Sequence, residues 1–250
     1  MDVDDFDETV NEVENVDYVH FMRYLMMMRL VKKEELIKTY KIIFQNDARA
    51  EYLQQAIEAV NGLLKNAKLE VKEVNCEVEM YPCYVVYSTL YRSDKIWPSN
   101  RADNELEFIK RLIHEIMVSG RGAVSSIHCL NLDVKLSKSD REDLLKALVA
   151  EKWLTEAKKG TFTMSALCLA ELEPYLRDNY RDIIAKCTFC KRNVCFGDIC
   201  SKCNVMGHRL CIKKYQQSMK TTFKCPACGK EWVQAQSTSQ MDDMEYDESD

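Results

Sequence analysis

The apolar residues near the start of the chain recur at the spacing of an α-helix. They predict three helices, over residues 18–30, 33–44 and 46–67. Either Asn46 or Asp47 can cap the third helix. Residues 69–73 then alternate between apolar and polar, and residues 84–87 are β-branched and aromatic, so two strands should follow. Three helices followed by a hairpin are the order of a winged-helix domain, which we assign to residues 18–98.

The same order of elements recurs in the next part of the chain. Apolar spacing predicts helices over residues 106–119, over 125–130 and from residue 139 onward, followed by a wing hairpin around Lys158-Lys159-Gly160 and a last helix over 165–180. Ser139 and Glu142 have the spacing of a capping box. We therefore assign residues 99–185 to a second winged-helix domain. The expected fold is mostly α-helical with small β hairpins, of the α+β class.

The charges of the chain are unevenly distributed. The net charge is −5, yet residues 1–17 contain eight acidic residues and no basic one, and residues 241–250 contain six acidic residues and no basic one. We expect the tails 1–17 and 233–250 to be disordered. Residues 186–231 contain ten basic and two acidic residues, so this segment is the basic end of the folded body.

The second winged-helix domain lacks the charge expected of a DNA reader. Residues 138–152 contain four basic and four acidic side chains, whereas an element that faces phosphates is clearly positive. We therefore expect this helix to contact protein. The chain has no Ser-His-Asp grouping and no phosphate-binding loop, and its apolar stretches are too short to cross a membrane. These features predict a soluble intracellular protein with no hydrolase triad.

Four pairs of candidate metal ligands lie near the carboxyl end, each with two residues between its members. They are Cys187 and Cys190, Cys200 and Cys203, His208 and Cys211, and Cys225 and Cys228. This gap lets one tight turn aim both side chains at a single tetrahedral ion, so eight ligands predict two structural Zn²⁺ sites. The pairs could bind sequentially or interleave. Because residues 186–232 are too few for a core of their own, we favour interleaving, in which the first and third pairs hold one ion and the second and fourth pairs the other.

The remaining cysteines are given no ligand role. Cys76, Cys83, Cys129 and Cys168 are scattered along the chain and are expected to act as small buried hydrophobic residues. Cys195 lies within the metal-binding segment and is expected to pack in the interior. The alternative is that it replaces Cys190 in one site.

The ligand order of four cysteines, one histidine and three cysteines resembles the variant RING of the non-structural maintenance of chromosomes element one family. Lys152-Trp153-Leu154 and Phe162-Thr163 in the wing, and Cys225-Pro226-Ala227-Cys228 followed by Trp232, are similar to that family as well. The resemblance extends over nearly the whole chain. It implies a ubiquitin-ligase subunit of the Smc five–six DNA-repair complex, located on chromosomes in the nucleus. It also implies tight pairing with a MAGE-type winged-helix subunit, and a kleisin nearby.

A RING contributes no catalytic residue and acts by positioning a ubiquitin-charged conjugating enzyme. The docking surface should be apolar and lie on the two zinc loops. The residues that match those places are Phe189, Tyr215, Pro226 and Ala227. Many active RINGs have a basic residue directly after the last ligand, whereas this chain has Gly229. We therefore expect its activity to depend on the MAGE-type partner.

Two other functions are open at this point. The same ligand order occurs in PHD fingers that read histone tails, although Phe223 stands where such fingers normally have Trp, and a basic module would repel a basic tail. The module could instead be a non-enzymatic adaptor that braces the complex. The basic side chains are also candidate contacts to nucleic acid or to an acidic partner surface: Lys191, Arg192, Arg209, Lys213 and Lys214.

Overall fold

The computed structural model describes residues 4–45, 50–90, 101–219 and 223–232. Its first part has the following elements in chain order: helix α1 (Asp4–Met28), strand β1 (Leu30–Lys32), helix α2 (Lys33–Phe44), helix α3 (Ala50–Leu64), a turn of 3₁₀-helix (Lys65–Ala67), strand β2 (Leu69–Asn75) and strand β3 (Pro82–Ser88). The three strands form an antiparallel sheet in the order β1-β3-β2. This is a winged helix, with the β2–β3 hairpin as its wing.

Helix α1 is longer than the apolar spacing predicts. It begins at Asp4, so most of the acidic segment 1–17 that we expected to be disordered is helical. No glycine or proline interrupts residues 4–28, so the residues that most often break a helix are absent from this stretch. The helix ends at Arg29, whose φ is +54°, and the apolar residues beyond it form β1 instead of extending the helix. The proposed caps of α3, Asn46 and Asp47, lie outside the described residues.

The first unit is built around aromatic and aliphatic side chains from all three helices. The rings of Phe21, Tyr40 and Phe44 pack against one another with centroids 4.5 to 5.9 Å apart. Asn61 on α3 fastens the helix to the sheet, because its amide both donates to the carbonyl of Val71 (3.0 Å) and accepts from the N–H of Val71 (2.7 Å). The unit therefore has a core of its own.

The second unit repeats the order of the first. Its elements are helix α4 (Asp103–Val118), strand β4 (Val124–Ser125), helix α5 (Ser126–Leu130), helix α6 (Lys138–Ala150), strand β5 (Leu154–Lys158) and strand β6 (Thr161–Met164). Its antiparallel sheet has the order β4-β6-β5, which corresponds strand for strand to β1-β3-β2. The expected tandem of winged helices is confirmed.

The capping box of α6 lies two residues before the predicted one. Ser137 accepts a hydrogen bond from the N–H of Asp140 (3.1 Å), and the Asp140 carboxylate accepts the N–H of Ser137 (3.3 Å). Ser139 is already inside the helix. The assignment to Ser139 and Glu142 was wrong because two Ser-x-x-acid spacings overlap here, and only Ser137 has the extended backbone of a cap.

The last predicted helix, over 165–180, is two helices in the structure. Helix α7 (Ala166–Glu171) and helix α8 (Glu173–Asn179) are separated at Leu172. Pro174 lies in the first turn of α8, where its missing N–H is tolerated, whereas within one continuous helix it would remove a hydrogen bond.

Helix α7 joins the two winged helices. A buried cluster combines β3 of the first unit with α7: Cys83, Val85, Ala166, Leu167 and Ala170. Lys152 adds polar contacts across the same boundary, since its ammonium donates to the carbonyls of Met28 (2.8 Å) and Leu30 (3.2 Å). The two units thus pack against each other through apolar and hydrogen-bonded contacts.

The carboxyl-terminal module has short strands and one longer helix. These are strands β7 (Ala185–Lys186), β8 (Asn193–Val194), β9 (Asp198–Ile199) and β10 (Met206–Gly207), and helix α9 (Arg209–Ser218). Strand β7 pairs with β8, and β9 pairs with β10. Within the described part of the chain, no helix combines the length and apolar character that a membrane crossing requires.

Candidate metal centre

The structure gathers the eight candidate ligands into two clusters of four. One cluster comprises Cys187, Cys190, His208 and Cys211, and the other comprises Cys200, Cys203, Cys225 and Cys228. Within each cluster the ligand atoms all lie within 4.8 Å of one another, a separation that suits a single tetrahedral ion. The clusters interleave along the chain, as the favoured pairing of the sequence analysis predicts.

The three Cys-x-x-Cys pairs use one repeated backbone turn. In each, the carbonyl of the first cysteine accepts the N–H of the residue after the second cysteine, at 2.8 to 2.9 Å. That residue has a positive φ in all three turns: +63° at Lys191, +59° at Asn204 and +69° at Gly229. Gly229, which departs from the pattern of many RINGs, therefore occupies a left-handed position that favours glycine.

The fourth pair is positioned by a helix. His208 precedes α9 in an extended conformation and its carbonyl accepts the N–H of Ile212 (3.0 Å), while Cys211 lies in the first helical turn. His208 and Cys211 therefore face the same cluster, although the backbone between them differs from that of the cysteine turns.

The imidazole of His208 has two different sides. Its Nδ1 lies 3.3 Å from the sulfur of Cys190 and 3.7 Å from that of Cys211, so Nδ1 is the atom that faces the cluster. Its Nε2 points away, 3.0 Å from the carbonyl of Asn193 and 3.2 Å from Oε1 of Glu77. Nδ1 is thus available as a ligand when Nε2 carries the proton.

The Cys187 thiol is prepared for ionisation. Burial opposes its thiolate, but hydrogen bonds from His208 and from the backbone N–H groups of Cys190, His208 and Phe189 outweigh burial and lower the pKa of Cys187 to about 6. The thiolate is the form that binds a metal. Burial disfavours the charged imidazole of His208, but its hydrogen bonds to Cys187 and Glu77 outweigh burial and raise the pKa of His208 to about 11. Metal binding therefore requires His208 to release a proton.

Cys195 has the opposite environment. It lies outside both clusters and packs into the core of the second winged helix. Burial, reinforced by the nearby negative charge of Glu77, raises the pKa of Cys195 well above its usual value. Cys190, not Cys195, is in the first cluster, so the expected packing role of Cys195 agrees with its place in the structure.

The four scattered cysteines are buried, as expected: Cys76, Cys83, Cys129 and Cys168. Burial raises the pKa of both Cys83 and Cys129 to about 12. Cys83 and Cys129 are therefore neutral thiols at physiological pH, a form that does not favour metal binding or redox chemistry.

An aromatic cluster connects the two groups of ligands. Phe189, between Cys187 and Cys190, packs against Tyr215 of α9 with centroids 5.1 Å apart. It also packs against Phe223 (6.2 Å) and Trp232 (5.7 Å) near the second ligand cluster. Sequence reasoning did not assign Phe223 and Trp232 to this cluster, because the contacts join residues that are far apart in the chain.

The predicted docking residues fall into two groups. Phe189 and Tyr215 are half-buried within the aromatic cluster, whereas Pro226 and Ala227 are exposed on the turn between the last two cysteines. Apolar side chains therefore lie at each ligand cluster, Phe189 between two ligands of the first and Pro226 and Ala227 between two ligands of the second. Only Pro226 and Ala227 can be substituted without disturbing the aromatic packing.

The basic candidates do not share one environment. Lys191, Arg192, Lys213 and Lys214 are exposed. Arg209 is half-buried, pairs with Asp198 at 3.0 Å and lies over the ring of Phe196, with its guanidinium carbon 4.4 Å from the ring centroid. Arg209 thus differs from the other four in having partners within the module, and its contact to nucleic acid or to an acidic partner surface stays a prediction.

Comparison with known proteins places the chain among related sequences. Residues 130–172 match the family model described as "Nse1 non-SMC component of SMC5-6 complex". The chain is 30% identical over 198 residues to "Non-structural maintenance of chromosomes element 1 homolog" of Homo sapiens, covering 77% of this chain and 73% of that protein. It is also 30% identical over 191 residues to the Bos taurus protein of the same name, covering 74% and 71%.

A solved structure has the same fold. A chain of the "Nse1-Nse3-Nse4 complex" superimposes with a TM-score of 0.74 at 24% identity, covering 86% of this chain and 96% of that chain. The human and bovine relatives are 30% identical and aligned over more than two thirds of their length, so the chain belongs to the family of non-structural maintenance of chromosomes element 1, or Nse1, proteins.

Proposed function

We propose that this protein is the RING-type ubiquitin-ligase subunit of an SMC5-6 chromosome-maintenance complex. In this proposal its two clusters hold structural Zn²⁺ ions, and its module positions a ubiquitin-charged conjugating enzyme. The observation that carries the proposal is the pair of interleaved ligand clusters, with apolar residues on a ligand turn of each.

The choice of zinc follows from the ligand chemistry. One cluster offers three cysteines and one histidine and the other four cysteines, sets that are typical of tetrahedral structural Zn²⁺. Four protein ligands leave no open position for a water, so the ions would brace the module and take no part in the transfer reaction. Their binding would supply folding free energy to a segment with a small core of its own.

The ligase activity would come from positioning alone. A conjugating enzyme that docks on the exposed Pro226 and Ala227 and also reaches Phe189 and Tyr215 would hold the ubiquitin thioester in an orientation that favours attack. Gly229 supplies no charged contact to ubiquitin from the position directly after the last ligand. We therefore expect the partner subunit to contribute to the activity.

The partners and location follow from family membership. The related chain belongs to an assembly named with Nse3 and Nse4, and we assign to this protein the corresponding MAGE-type and kleisin partners. Membership in the family of an SMC5-6 component also supports a nuclear, chromosome-associated location and a role in DNA repair and recombination. Lys191, Arg192, Lys213 and Lys214 are the exposed basic side chains through which the module would contact DNA or an acidic partner surface.

A non-enzymatic adaptor is the second candidate, and the packing of the aromatic cluster supports it. Phe189 contacts three other rings, which is what a purely structural residue would do. Substitution of Phe189 would disturb the module under either function. The test must therefore use exposed positions.

The test measures ubiquitin discharge from a panel of charged conjugating enzymes by the full chain purified with its winged-helix partner. Ala227→Asp should abolish stimulation, because it places a charge on the apolar docking surface. Ser201→Asp is the matched control, since it places the same charge at an exposed position between the first two ligands of the same cluster. If the wild-type complex gives no discharge with any enzyme of the panel, the adaptor function replaces the proposal.

A further inference from the structure

A buried carboxylate of the first winged helix reaches the first metal cluster. Glu77 lies in the wing turn between β2 and β3, and its side chain is 5% exposed. One carboxylate oxygen accepts the N–H of Phe196 at 2.8 Å, and both oxygens lie within 3.3 Å of the N–H of Cys195. Oε1 is also 3.2 Å from Nε2 of His208. Among the described residues, no lysine or arginine neutralises this carboxylate.

The wing turn is built to hold the carboxylate in place. The N–H of Cys76 donates to the carbonyl of Tyr81 (2.9 Å), and the N–H of Met80 donates to the carbonyl of Cys76 (3.1 Å). Met80 has a φ of +59°. These are the features of the cysteine turns of the metal clusters, so a tight, well-defined turn presents Glu77.

The segment that Glu77 contacts is also held from the second winged helix. The carbonyl of Gly122 accepts hydrogen bonds from the hydroxyl of Thr163 (2.5 Å) and from the thiol of Cys195 (3.9 Å). Residues 195–196 therefore lie between Glu77 of the first unit and Gly122 of the second. The carboxylate of Glu77 that contacts this segment also contacts His208, a candidate ligand of the first cluster.

We propose that Glu77 is a positioning residue that couples metal binding at the first cluster to docking of the module on the first winged helix. The Nε2–H of His208 lies between two acceptors, the carbonyl of Asn193 (3.0 Å) and Oε1 of Glu77 (3.2 Å). A carboxylate beside the Nε2–H of a metal-binding histidine holds the ring with Nδ1 toward the metal and makes it a better ligand. The same carboxylate anchors the backbone of residues 195–196. Metal binding and docking should therefore stabilise each other by the same factor. This inference rests on the metal binding included in the proposed function.

The experiment uses the full chain loaded with Co²⁺, whose absorption distinguishes a site with three sulfurs and one nitrogen from a site with four sulfurs. Glu77→Gln removes the charge and keeps the shape, but an amide cannot accept from His208 and from both backbone N–H groups at once. We expect metal affinity at the first cluster to fall about 10- to 100-fold, with the second cluster unchanged. Glu79→Gln is the matched control, because Glu79 lies in the same turn, is half-exposed and pairs with Lys32.

A second measurement tests whether metal binding strengthens the docking of the module on the first winged helix. Loading the metals should increase hydrogen-exchange protection of residues 76–81 in the wild type and in Glu79→Gln, but not in Glu77→Gln. Glu77→Asp, which keeps the charge and shortens the reach, should give an intermediate loss of affinity at the first cluster. It also serves as the test variant if Glu77→Gln does not fold.

The outcomes separate this inference from the proposed function. A wild-type chain that binds fewer than two metal equivalents overturns the proposed zinc module itself. A wild-type chain that binds two, with Glu77→Gln and Glu77→Asp binding metal at the first cluster as tightly as Glu79→Gln, overturns the role of Glu77. Equal weakening of both clusters would show general loosening of the module and would also overturn the role.

Discussion

At the scale of single residues, close contacts between distant parts of the chain decide which side chains are allowed. Gly122 has a φ of +68°, and a Cβ at this position would overlap with the carbonyl of Cys195. Gly120 has nearly the same φ of +67°, but a Cβ there would meet only open space. A substitution at Gly120 therefore reports the free-energy cost of backbone strain alone, whereas a substitution at Gly122 also reports the cost of a steric clash with Cys195.

Alanine at these two positions should give different losses of stability. Gly120→Ala should reduce the free energy of unfolding by about 1 kcal/mol through its positive φ. Gly122→Ala should reduce it by about 3 kcal/mol, because residues 195–196 must also move away from the second winged helix. Urea unfolding measures both losses, and hydrogen exchange at 195–196 should rise only in Gly122→Ala. Similar losses in the two variants would mean that the contact contributes nothing.

At the scale of elements, the hydrogen bonds at helix ends and in turns can be assigned to more than one residue when sequence motifs overlap. Helix α6 has two serines at capping-box spacing, and the structure uses Ser137. The three cysteine turns each need a positive φ after the second ligand, and three different residue types fill that position. Each case leads to a prediction with a control within the same element.

The cap of α6 can be tested with its two serines. Ser137→Ala should reduce the free energy of unfolding by about 1 kcal/mol, because an orphan N–H at the helix start loses its partner. Ser139→Ala should leave stability unchanged or raise it by about 0.5 kcal/mol, since Ala favours a helix interior. Thermal or urea unfolding of the two variants measures both changes in stability. If Ser139→Ala is the more damaging substitution, the cap is at Ser139 instead.

The turn at Gly229 offers a test of partner dependence. Lys191 occupies the equivalent turn position with a φ of +63°, and a Cβ at Gly229 would meet no neighbour, so Gly229→Lys should fold and keep its metals. If the proposed ligase function is right, we expect the added charge after the last ligand to raise ubiquitin discharge by the chain without its partner. Gly229→Gln imposes a similar backbone strain without the charge. Equal discharge by the two variants would contradict the expectation.

At the scale of the whole molecule, three bodies with different sources of stability are packed together. Each winged helix has its own apolar core, and a smaller buried cluster between β3 and α7 joins them. The module contributes few buried residues beyond its ligands, among them Val194 and Ile212. Its order should therefore depend on metal to a degree that the order of the winged helices does not.

Removal of the metals should unfold the module selectively. With a chelator present, hydrogen-exchange protection should be lost over residues 186–219, whereas α4 and the β2–β3 sheet should keep theirs. The second winged helix should lose part of its stability, because Cys195 belongs to its core. Elemental analysis before chelation should give two zinc equivalents per chain. A module that stays protected after complete metal removal would contradict this picture.

The sequence by itself determined the order of the helices and the wing hairpin in both winged helices, without the short strands β1 and β4, and the identity of the eight candidate ligands. These features are local: helical periodicity, strand composition and a gap of two residues between ligands can be recognised within short windows. The break at Leu172 could also have been predicted, because Pro174 was a visible signal for it.

Only the tertiary structure decided which ligand pairs share a cluster and which side chains support them. Glu77 and His208 are 131 positions apart in the chain, and neither has a local pattern that points to the other. The same holds for the close approach of Gly122 to Cys195. Arg209 has the charge of a candidate DNA contact, but folding brings it to Asp198 and Phe196. Long-range packing brings these residues into contact, and local sequence patterns do not predict it.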